Sequence, residues 1–375
     1  MTCAYGLRRY GHYPMLEKGY FMTAHVRRFF FSILALGWLL SVIVPSVEAS
    51  CGSVSCFVVI GSQQQVPMAG LLTVNAIYNY TPMEAPPGQG GTIPFSNQGN
   101  HTLTLANLHA NQIRTLMRTA TLDMNYGLTE RFGLQVTLPY KHVNSDAQIG
   151  GLIPVPYSDK GLGDIRVSLK YNILPTLRSM IVLGMGTDLP TGDYGQKVQG
   201  TSLAESTLQI GRGNFGLVPT IYQSYELIPH RLNQFALASY RHTFKNSDGY
   251  KFGDEVNFSA GLNIIPLEQT PWFVLTQQVN YRWIQNDAID ASLFQFNQAT
   301  GTSILLDPTV KSRAVPTTGS TYIAYSPGTM LNLWGHASFY FIAQIPVMRD
   351  FNGNLEQQRS YVFGLTKTFQ LFGGS

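Results

Sequence analysis

Charged residues are scarce in this chain. Asp, Glu, Lys and Arg make up 12% of its 375 residues, whereas they make up about a quarter of an average soluble protein. Long apolar runs are equally scarce, because a single run, Phe29 to Val44, approaches the length of a membrane-spanning helix. The sequence therefore argues against a helical membrane protein with several spans. It favours strands on which apolar and polar residues alternate.

That single apolar run has the features of a secretory signal peptide. Arg27 and Arg28 precede it, and Val47 and Ala49 are the small residues expected just before a cleavage site. We expect cleavage after Ala49, so that residues 1–49 are removed. A membrane anchor is the alternative, but the run is short and no charged stop-transfer segment follows it. Because residues 1–21 are unusual for a signal peptide, we expect translation to start at Met22.

Cysteine is also rare, and two of the three cysteines, Cys51 and Cys56, open the expected mature chain. We expect the segment 50–67 that holds them to lie in the periplasm, where an oxidising environment predicts a disulfide. Lipidation of Cys51 is the alternative, although Glu48 stands where lipoprotein signals have a large apolar residue.

Motifs for cofactors and nucleic acid are absent from the sequence. There is no CxxCH, HExxH, GxGxxG, P-loop or calcium-loop spacing, so we expect neither a metal nor a cofactor. Residues 1–49 contain five of the 25 Lys and Arg and two of the 21 Asp and Glu. The remaining 20 basic and 19 acidic residues form no basic stripe, and we expect no nucleic acid partner.

From residue 68 onward the chain alternates with a period of two. Val256, Phe258 and Ala260, for example, alternate with Glu255, Asn257 and Ser259, which gives one face suited to lipid and one suited to water. We therefore predict that residues 68–375 form an all-β, antiparallel up-and-down transmembrane barrel. The predicted strands number about twelve and lie near 68–80, 114–126, 132–142, 163–173, 179–188, 214–226, 232–244, 254–264, 272–284, 318–326, 336–346 and 358–369.

The connections between these strands alternate in length. Tight turns, such as Gly127–Arg131 and Pro266–Gln269, alternate with long polar segments near 81–113, 143–162, 189–213 and 285–317. Bacterial outer-membrane barrels combine short periplasmic turns with long extracellular loops. We therefore predict an outer-membrane location with both termini in the periplasm. The last strand, with Gly364 and Phe369, resembles the C-terminal signal that the barrel-assembly machinery reads, although Lys367 stands where an aromatic residue is preferred.

Several short motifs resemble those of one known family. They are Tyr126-Gly-Leu-Thr-Glu-Arg-Phe132, Leu138-Pro-Tyr140, Gly161-Leu-Gly-Asp-Ile165 leading to Lys170-Tyr171, and Leu189-Pro-Thr-Gly-Asp193. In this order and spacing they resemble the MetA-pathway phenol-degradation family of outer-membrane barrel proteins. The resemblance implies a barrel that passes small, often aromatic or apolar, molecules. It implies no catalytic residues.

The polar face of the predicted strands supplies the candidate functional residues. Charged side chains of both signs there could select solutes at a constriction, or could pair with one another and fill the lumen. The candidates are Asp123, Asp164, Arg166, Lys170, Glu255, Asn257, Gln278, Asn280, Arg282, His336 and Gln344, with Arg241 on a strand that alternates less clearly.

Three functions are compatible with such a barrel. Passive passage of small solutes through the lumen is the first. The second is a non-conducting barrel that binds partners through its long loops. A membrane lipid hydrolase is the third, since His336 and Ser338 share one strand face, but no GxSxG motif surrounds any serine.

Overall fold

The computed structural model shows a closed β-barrel, and the described residues before it form a short helix, α1 (Gly61–Gln64). The expected signal peptide, Cys51, Cys56 and His336 all lie outside the described residues. Among the residues that are described, no helix is long and apolar enough to cross a membrane. The structure describes residues 61–86, 91–92, 96–97, 103–104, 110–149, 153–176, 178–195, 197–198, 202–203, 208–247, 249–290, 294–297, 302–305, 312–314, 318–333 and 337–371.

Twelve antiparallel strands form the barrel wall, as the alternation predicts. Each strand pairs with the one before it and the one after it, and the first pairs with the last, so that no long sheet edge stays open. The strands are β1 Leu71–Glu84, β2 Ala110–Gly127, β3 Phe132–Ile149, β4 Ile165–Asn172, β5 Ser179–Leu189, β6 Gly216–Ile228, β7 Leu232–Thr243, β8 Glu255–Ile264, β9 Phe273–Ile284, β10 Ser320–Leu333, β11 Ala337–Asp350 and β12 Ser360–Gln370.

One predicted loop is folded as a hairpin. The segment 143–162 was expected to be a long polar connection, but β3 continues to Ile149 and pairs with a further strand, Ile153–Leu162, which we call the extension strand. Gly163 and Asp164 separate the extension strand from β4. The lipid-facing pattern ends here because the outward positions are polar, for example Asn144 and Asp146, whereas the inward Val143 is buried. Also inside, the hydroxyl of Thr115 in β2 donates to that of Ser145 in β3.

Two-residue to four-residue strands accompany the barrel at the end that carries the long loops. They are Gly91–Thr92, Ser96–Asn97, Leu103–Thr104, Lys197–Val198, Ser202–Leu203, Tyr250–Lys251, Ala288–Asp290, Phe294–Asn297, Thr302–Leu305, Ser312–Ala314 and Glu356–Gln357. The short connections 128–131, 229–231 and 265–272 lie at the opposite end, where Leu71 and Gln370 are paired. In an outer-membrane barrel that end faces the periplasm.

The two faces of the wall differ sharply. On β9 the inward residues Thr276, Gln278 and Asn280 are buried, whereas Val279 between them is 53% exposed. Large apolar side chains occupy the outward positions of the other strands in the same way, among them Leu169, Met185, Ile221, Phe258, Tyr325, Phe363 and Leu365. So much exposed apolar surface is unfavourable in water and favourable in a lipid bilayer. The outer face is therefore the lipid face.

Candidate lumen site

A cavity of about 300 Å³ lies inside one half of the barrel. Its wall is formed by inward residues of β1 to β8 and β12, together with Gln63 and Gln64 of the segment before β1. Five cationic and four anionic side chains line it: Lys141, Arg166, Lys170, Arg212, Arg241, Asp123, Asp164, Asp188 and Glu255.

Four of these side chains form a ladder of alternating charge along the wall. Arg166 of β4 donates from Nε and Nη2 to the two carboxylate oxygens of Asp188, at 2.6 and 3.0 Å. Arg241 of β7 has its Nε 3.1 Å from the Asp188 carboxylate and donates from Nη1 to Glu255 of β8 at 3.0 Å. Because each carboxylate has an arginine partner, the desolvation cost of burying these charges is offset within the ladder.

Glycines on β5 and β6 leave space for the side chains of the ladder. A Cβ at Gly186 would lie 2.8 Å from the Ser168 hydroxyl and 3.3 Å from Cδ of Arg166. A Cβ at Gly216 would lie 3.2 Å from the Asp188 carboxylate. The glycines therefore let the long Arg166 side chain lie flat against the wall and reach Asp188.

Asp123 is the centre of a second polar cluster on β1 to β3. Its carboxylate is 1% exposed and accepts hydrogen bonds from Gln135 Nε2 at 2.6 Å, Thr137 Oγ1 at 2.8 Å and Asn75 Nδ2 at 3.4 Å. Lys170 of β4 adds an electrostatic attraction. These partners stabilise a carboxylate that lies inside the barrel and faces the cavity.

The segment before β1 occupies the periplasmic end of the lumen. The Gln63 carbonyl accepts a hydrogen bond from the Lys170 ammonium group, and the Gln65 carbonyl accepts one from Asn125 Nδ2 at 2.7 Å. The side chain of Val66 is buried in an inward apolar cluster, which consists of Val182, Tyr222 and Phe235 with Met180 and Leu237 packed against it. Residues 63–66 therefore close this end of the cavity like a stopper, and we call them the N-terminal stopper.

Residues of the loop between β5 and β6 cover the other end. The Asp164 carboxylate accepts hydrogen bonds from the backbone N–H groups of Gly192, at 3.1 Å, and Arg212, at 2.9 Å. Lys141 donates to the Ile210 carbonyl at 2.7 Å. Burial lowers the pKa of Arg212 to about 10, so the group still carries its charge at neutral pH. The loop is thus fixed to the rim by both a carboxylate and an ammonium group.

An apolar cluster reinforces this cover. Leu208 and Ile210 of the loop pack with inward residues of β2 and β3 and with a residue of the loop before β12, namely Met117, Val143 and Leu355, together with Met83 and Tyr157. Burial of this size is a substantial stabilising contribution. The cavity therefore lies between two packed zones, one at each end of the barrel.

The other half of the lumen is packed with polar side chains, most of them uncharged. Asn280 donates to the Ser259 hydroxyl at 2.8 Å and accepts from that of Ser326 at 2.6 Å. Arg282 donates to Gln357 at 3.1 Å and lies 5.2 Å from the ring centroid of Tyr322. Gln278 and Gln344 are buried in the same way. This network fills the space between β8 and β12.

The structure thus divides the sequence candidates into three groups. Asp123, Asp164, Arg166, Lys170, Glu255 and Asn257 line the cavity, with Asp164 in the break before β4 instead of on a strand. Gln278, Asn280, Arg282 and Gln344 point inward but belong to the packed half. His336 lies outside the described residues.

Sequence reasoning missed three charged residues of the cavity. Lys141 and Asp188 lie on β3 and β5, and Arg212 lies in a loop. Inward glycines obscure the alternation around Asp188, and Pro139 obscures it two residues before Lys141. The available signal for Asp188 was a charged residue next to inward glycines. Such glycines leave space for a long side chain from a neighbouring strand, which can then reach the charge.

The described residues hold no group of three His, Cys, Asp or Glu side chains close enough to bind a metal. Ser338, the serine considered for lipid hydrolysis, is half-buried near the periplasmic end and donates its hydroxyl to Asn332 at 2.9 Å. Among the described residues, its hydroxyl contacts no base that could activate it as a nucleophile.

A closed barrel of twelve antiparallel strands with an apolar outer face and a polar lumen is the architecture of bacterial outer-membrane proteins. The chain is therefore an outer-membrane barrel. Residues 94–313 match the family described as "Putative MetA-pathway of phenol degradation". Because the match covers more than half of the chain, the chain belongs to this family, as its motifs predict.

Solved structures are similar in fold. An outer-membrane channel from Pseudomonas putida F1 matches with a TM-score of 0.56 and 12% identity, over 83% of this chain and 100% of that one. At this identity the likeness establishes the fold alone. The KdgM porin is more distant, with a TM-score of 0.38, 9% identity and coverage of 79% and 99%. A toluene transporter from Pseudomonas putida matches with a TM-score of 0.35, 9% identity and coverage of 87% and 96%. No curated protein sequence matches the chain.

Proposed function

We propose that this protein lets small solutes cross the outer membrane passively, through the half of the lumen that contains the cavity. The cavity is the observation that supports the proposal, because the rest of the described lumen is filled by packed side chains. A volume of about 300 Å³ is at the lower end of the range for small-molecule sites. Passage down a concentration gradient requires neither a cofactor nor a catalytic residue.

The cavity wall favours solutes that are partly apolar. Apolar side chains line the same cavity as the charged ladder, namely Ile77, Met117, Val218, Leu237 and Val362. A molecule with an apolar body and one polar group could contact both parts of such a wall. The family description refers to phenol degradation, and phenol is a molecule of this kind. We therefore infer that small aromatic compounds with a polar substituent are the preferred solutes.

Passage requires the N-terminal stopper to move. Its main attachments are Val66 in the apolar cluster and two hydrogen bonds that its backbone carbonyls accept. A carboxylate at position 66 would be buried among apolar side chains without a partner, at a cost of several kcal/mol. We therefore expect Val66→Asp to detach the stopper while the barrel stays closed.

The test compares Val66→Asp with Met68→Asp as a matched control, because the Met68 side chain is 71% exposed and lies two residues further on. Planar-bilayer conductance and liposome swelling with phenol-sized solutes are measured for the full chain and both variants. We expect larger conductance and faster swelling for Val66→Asp than for the other two proteins. Equal, negligible passage in all three would overturn the proposal.

That negative result would support the second candidate, a non-conducting barrel that acts through its loops. The apolar cover at the extracellular end, with Leu208, Ile210 and Leu355, is the observation that favours it. The third candidate, lipid hydrolysis, is tested by comparing the native chain with Ser338→Ala. We expect no hydrolysis by either. We also propose that β12, with Gly364 and Phe369, is the strand that the barrel-assembly machinery recognises.

A further inference from the structure

Three cationic residues of neighbouring strands lie side by side on the outer face, at its extracellular end. Arg118 of β2, His142 of β3 and Lys160 of the extension strand are direct partners in register, Arg118 with His142 and His142 with Lys160. Together they form a straight row across three strands, which we call the basic row. Since neighbouring strands lie about 4.8 Å apart, the row is about 10 Å long.

The basic row lies directly above an aromatic row. One outward position closer to the membrane centre, the row continues with Tyr78 of β1, Ala120 of β2, Tyr140 of β3 and Leu162 of the extension strand. Tyr78, Tyr140 and Leu162 are 41%, 44% and 57% exposed. Exposed tyrosines mark the level of the lipid headgroups in a membrane barrel. The basic row is therefore at the height of the headgroup phosphates, on the extracellular side.

The side chains of the basic row have no acidic partner among the described residues. Arg118 donates from Nη2 to the uncharged side chain of Asn144 at 2.8 Å. Two outward positions further from the membrane the situation differs, because Arg114 there forms an ion pair with Asp146 at 3.0 Å. The charges of the basic row are therefore not neutralised by a carboxylate among the described residues, and they can attract an external anion.

The opposite sector has no such row. At the matching end of β8, β9 and β10 the outward residues are Val256, Trp283 and Thr321, which are partners in register. In the described part of the chain, the row of three cations therefore belongs to β2, β3 and the extension strand and has no counterpart on β8 to β10.

We propose that the basic row binds the phosphate groups of a phosphorylated glycolipid in the outer leaflet of the outer membrane. Arginine provides a planar pair of donors that matches two phosphate oxygens, and lysine provides a point charge. The length of the row fits a headgroup with two phosphates, one held by Arg118 and one by Lys160, with His142 between them. This site lies on the lipid face and is independent of passage through the lumen.

The experiment measures lipid binding to the full-length barrel in detergent by native mass spectrometry. The probes are a bis-phosphorylated glycolipid with acyl chains and the same glycolipid without its phosphates. The variant Arg118→Gln/Lys160→Gln removes both ends of the row. Lys367→Gln is the control, because Lys367 is an outward cation near the periplasmic end of β12.

We expect the native protein and the control to retain the phosphorylated glycolipid in preference to the other one. Each cation near a lipid surface changes affinity about fivefold, so the double variant should bind about 30-fold more weakly. Equal binding of the two glycolipids by the native protein would refute the proposal even if the variant failed to assemble. Undiminished binding by a correctly assembled double variant would refute it as well.

Discussion

Asp188 is the carboxylate on which the charged ladder depends, and its replacement by Asn is the most informative change to the cavity. Asn has nearly the same volume and can still accept a hydrogen bond, so the change removes charge without creating a cavity. Arg241 keeps Glu255 as a partner at 3.0 Å, but Arg166 loses its only ion pair among the described residues. The effect therefore falls mainly on Arg166.

The size of the effect follows from burial. Asp188 is 9% exposed and contacts two guanidinium groups. Removal of one partner from a buried ion pair typically costs about 3–5 kcal/mol. Because the Arg166 side chain keeps 28% of its exposure, water screens part of the remaining charge, and we expect about 3 kcal/mol. The same change also reduces the anionic side chains that line the cavity from four to three, while the cationic side chains stay at five.

Two measurements check these expectations. Unfolding by urea in lipid vesicles gives the free energy of unfolding, and the reversal potential in a KCl gradient gives ion selectivity. The matched control is Asp146→Asn, which breaks the ion pair with Arg114 on the outer face, where the two side chains are 55% and 61% exposed. That pair should contribute less than about 1 kcal/mol, and its loss should leave selectivity unchanged.

We expect Asp188→Asn to lower stability by about 2–3 kcal/mol more than the control and to shift selectivity towards anions. If both variants lose the same small amount of stability, the ladder is not the buried network described above. An unchanged reversal potential in a conducting Asp188→Asn barrel would show that ions do not pass the cavity.

Two further predictions concern the extracellular loops. Burial raises the pKa of Asp287 to about 6, so the folded loops hold this proton at pH values where the unfolded chain has lost it. Loop stability should therefore fall as the pH rises from about 4 to above 6. The variant Asp287→Asn should abolish this pH dependence. The Gly253 N–H donates to Asp287 at 2.7 Å, and its hydrogen-exchange rate, corrected for the intrinsic rate, measures the loop stability. A pH dependence that persists in Asp287→Asn would contradict the role of Asp287. A Cβ at Gly211 would lie 2.3 Å from the Gly192 carbonyl oxygen, so Gly211→Ala should detach the cover loop at a cost of about 1–3 kcal/mol. Faster proteolysis of the loop in an intact barrel is the expected sign, and native protease resistance would contradict it.

Alternation was sufficient to predict the barrel and its strand number, because the outward positions must be apolar wherever the wall meets lipid. It failed where that requirement ends. Segment 143–162 rises above the membrane as a hairpin whose outer face is polar, so its sequence lacks the apolar outward positions that mark a lipid-facing strand. On β5 the inward positions before Asp188 are glycines and not polar residues, so the alternation did not identify Asp188 as an inward residue.

The division between cavity and packed lumen could not be predicted from the sequence at all. Asp123 and Gln278 are both inward polar residues on well-patterned strands, yet Asp123 faces the cavity and Gln278 is enclosed by its neighbours. The difference depends on which strands face each other across the barrel and on where the N-terminal stopper lies. Neither is encoded in the period of a single strand.

Closure of the wall has a consequence for how the protein folds. Strands β1 and β12 pair over ten residues, from Leu71 with Gln370 to Tyr80 with Tyr361, and the hydroxyls of Thr73 and Thr368 meet at 3.1 Å across 295 residues of sequence. Contacts between such distant parts of a chain form slowly, because a long loop must be closed first. The seam between the first and last strands therefore forms last, and until then each of the two strands presents an open edge to the membrane.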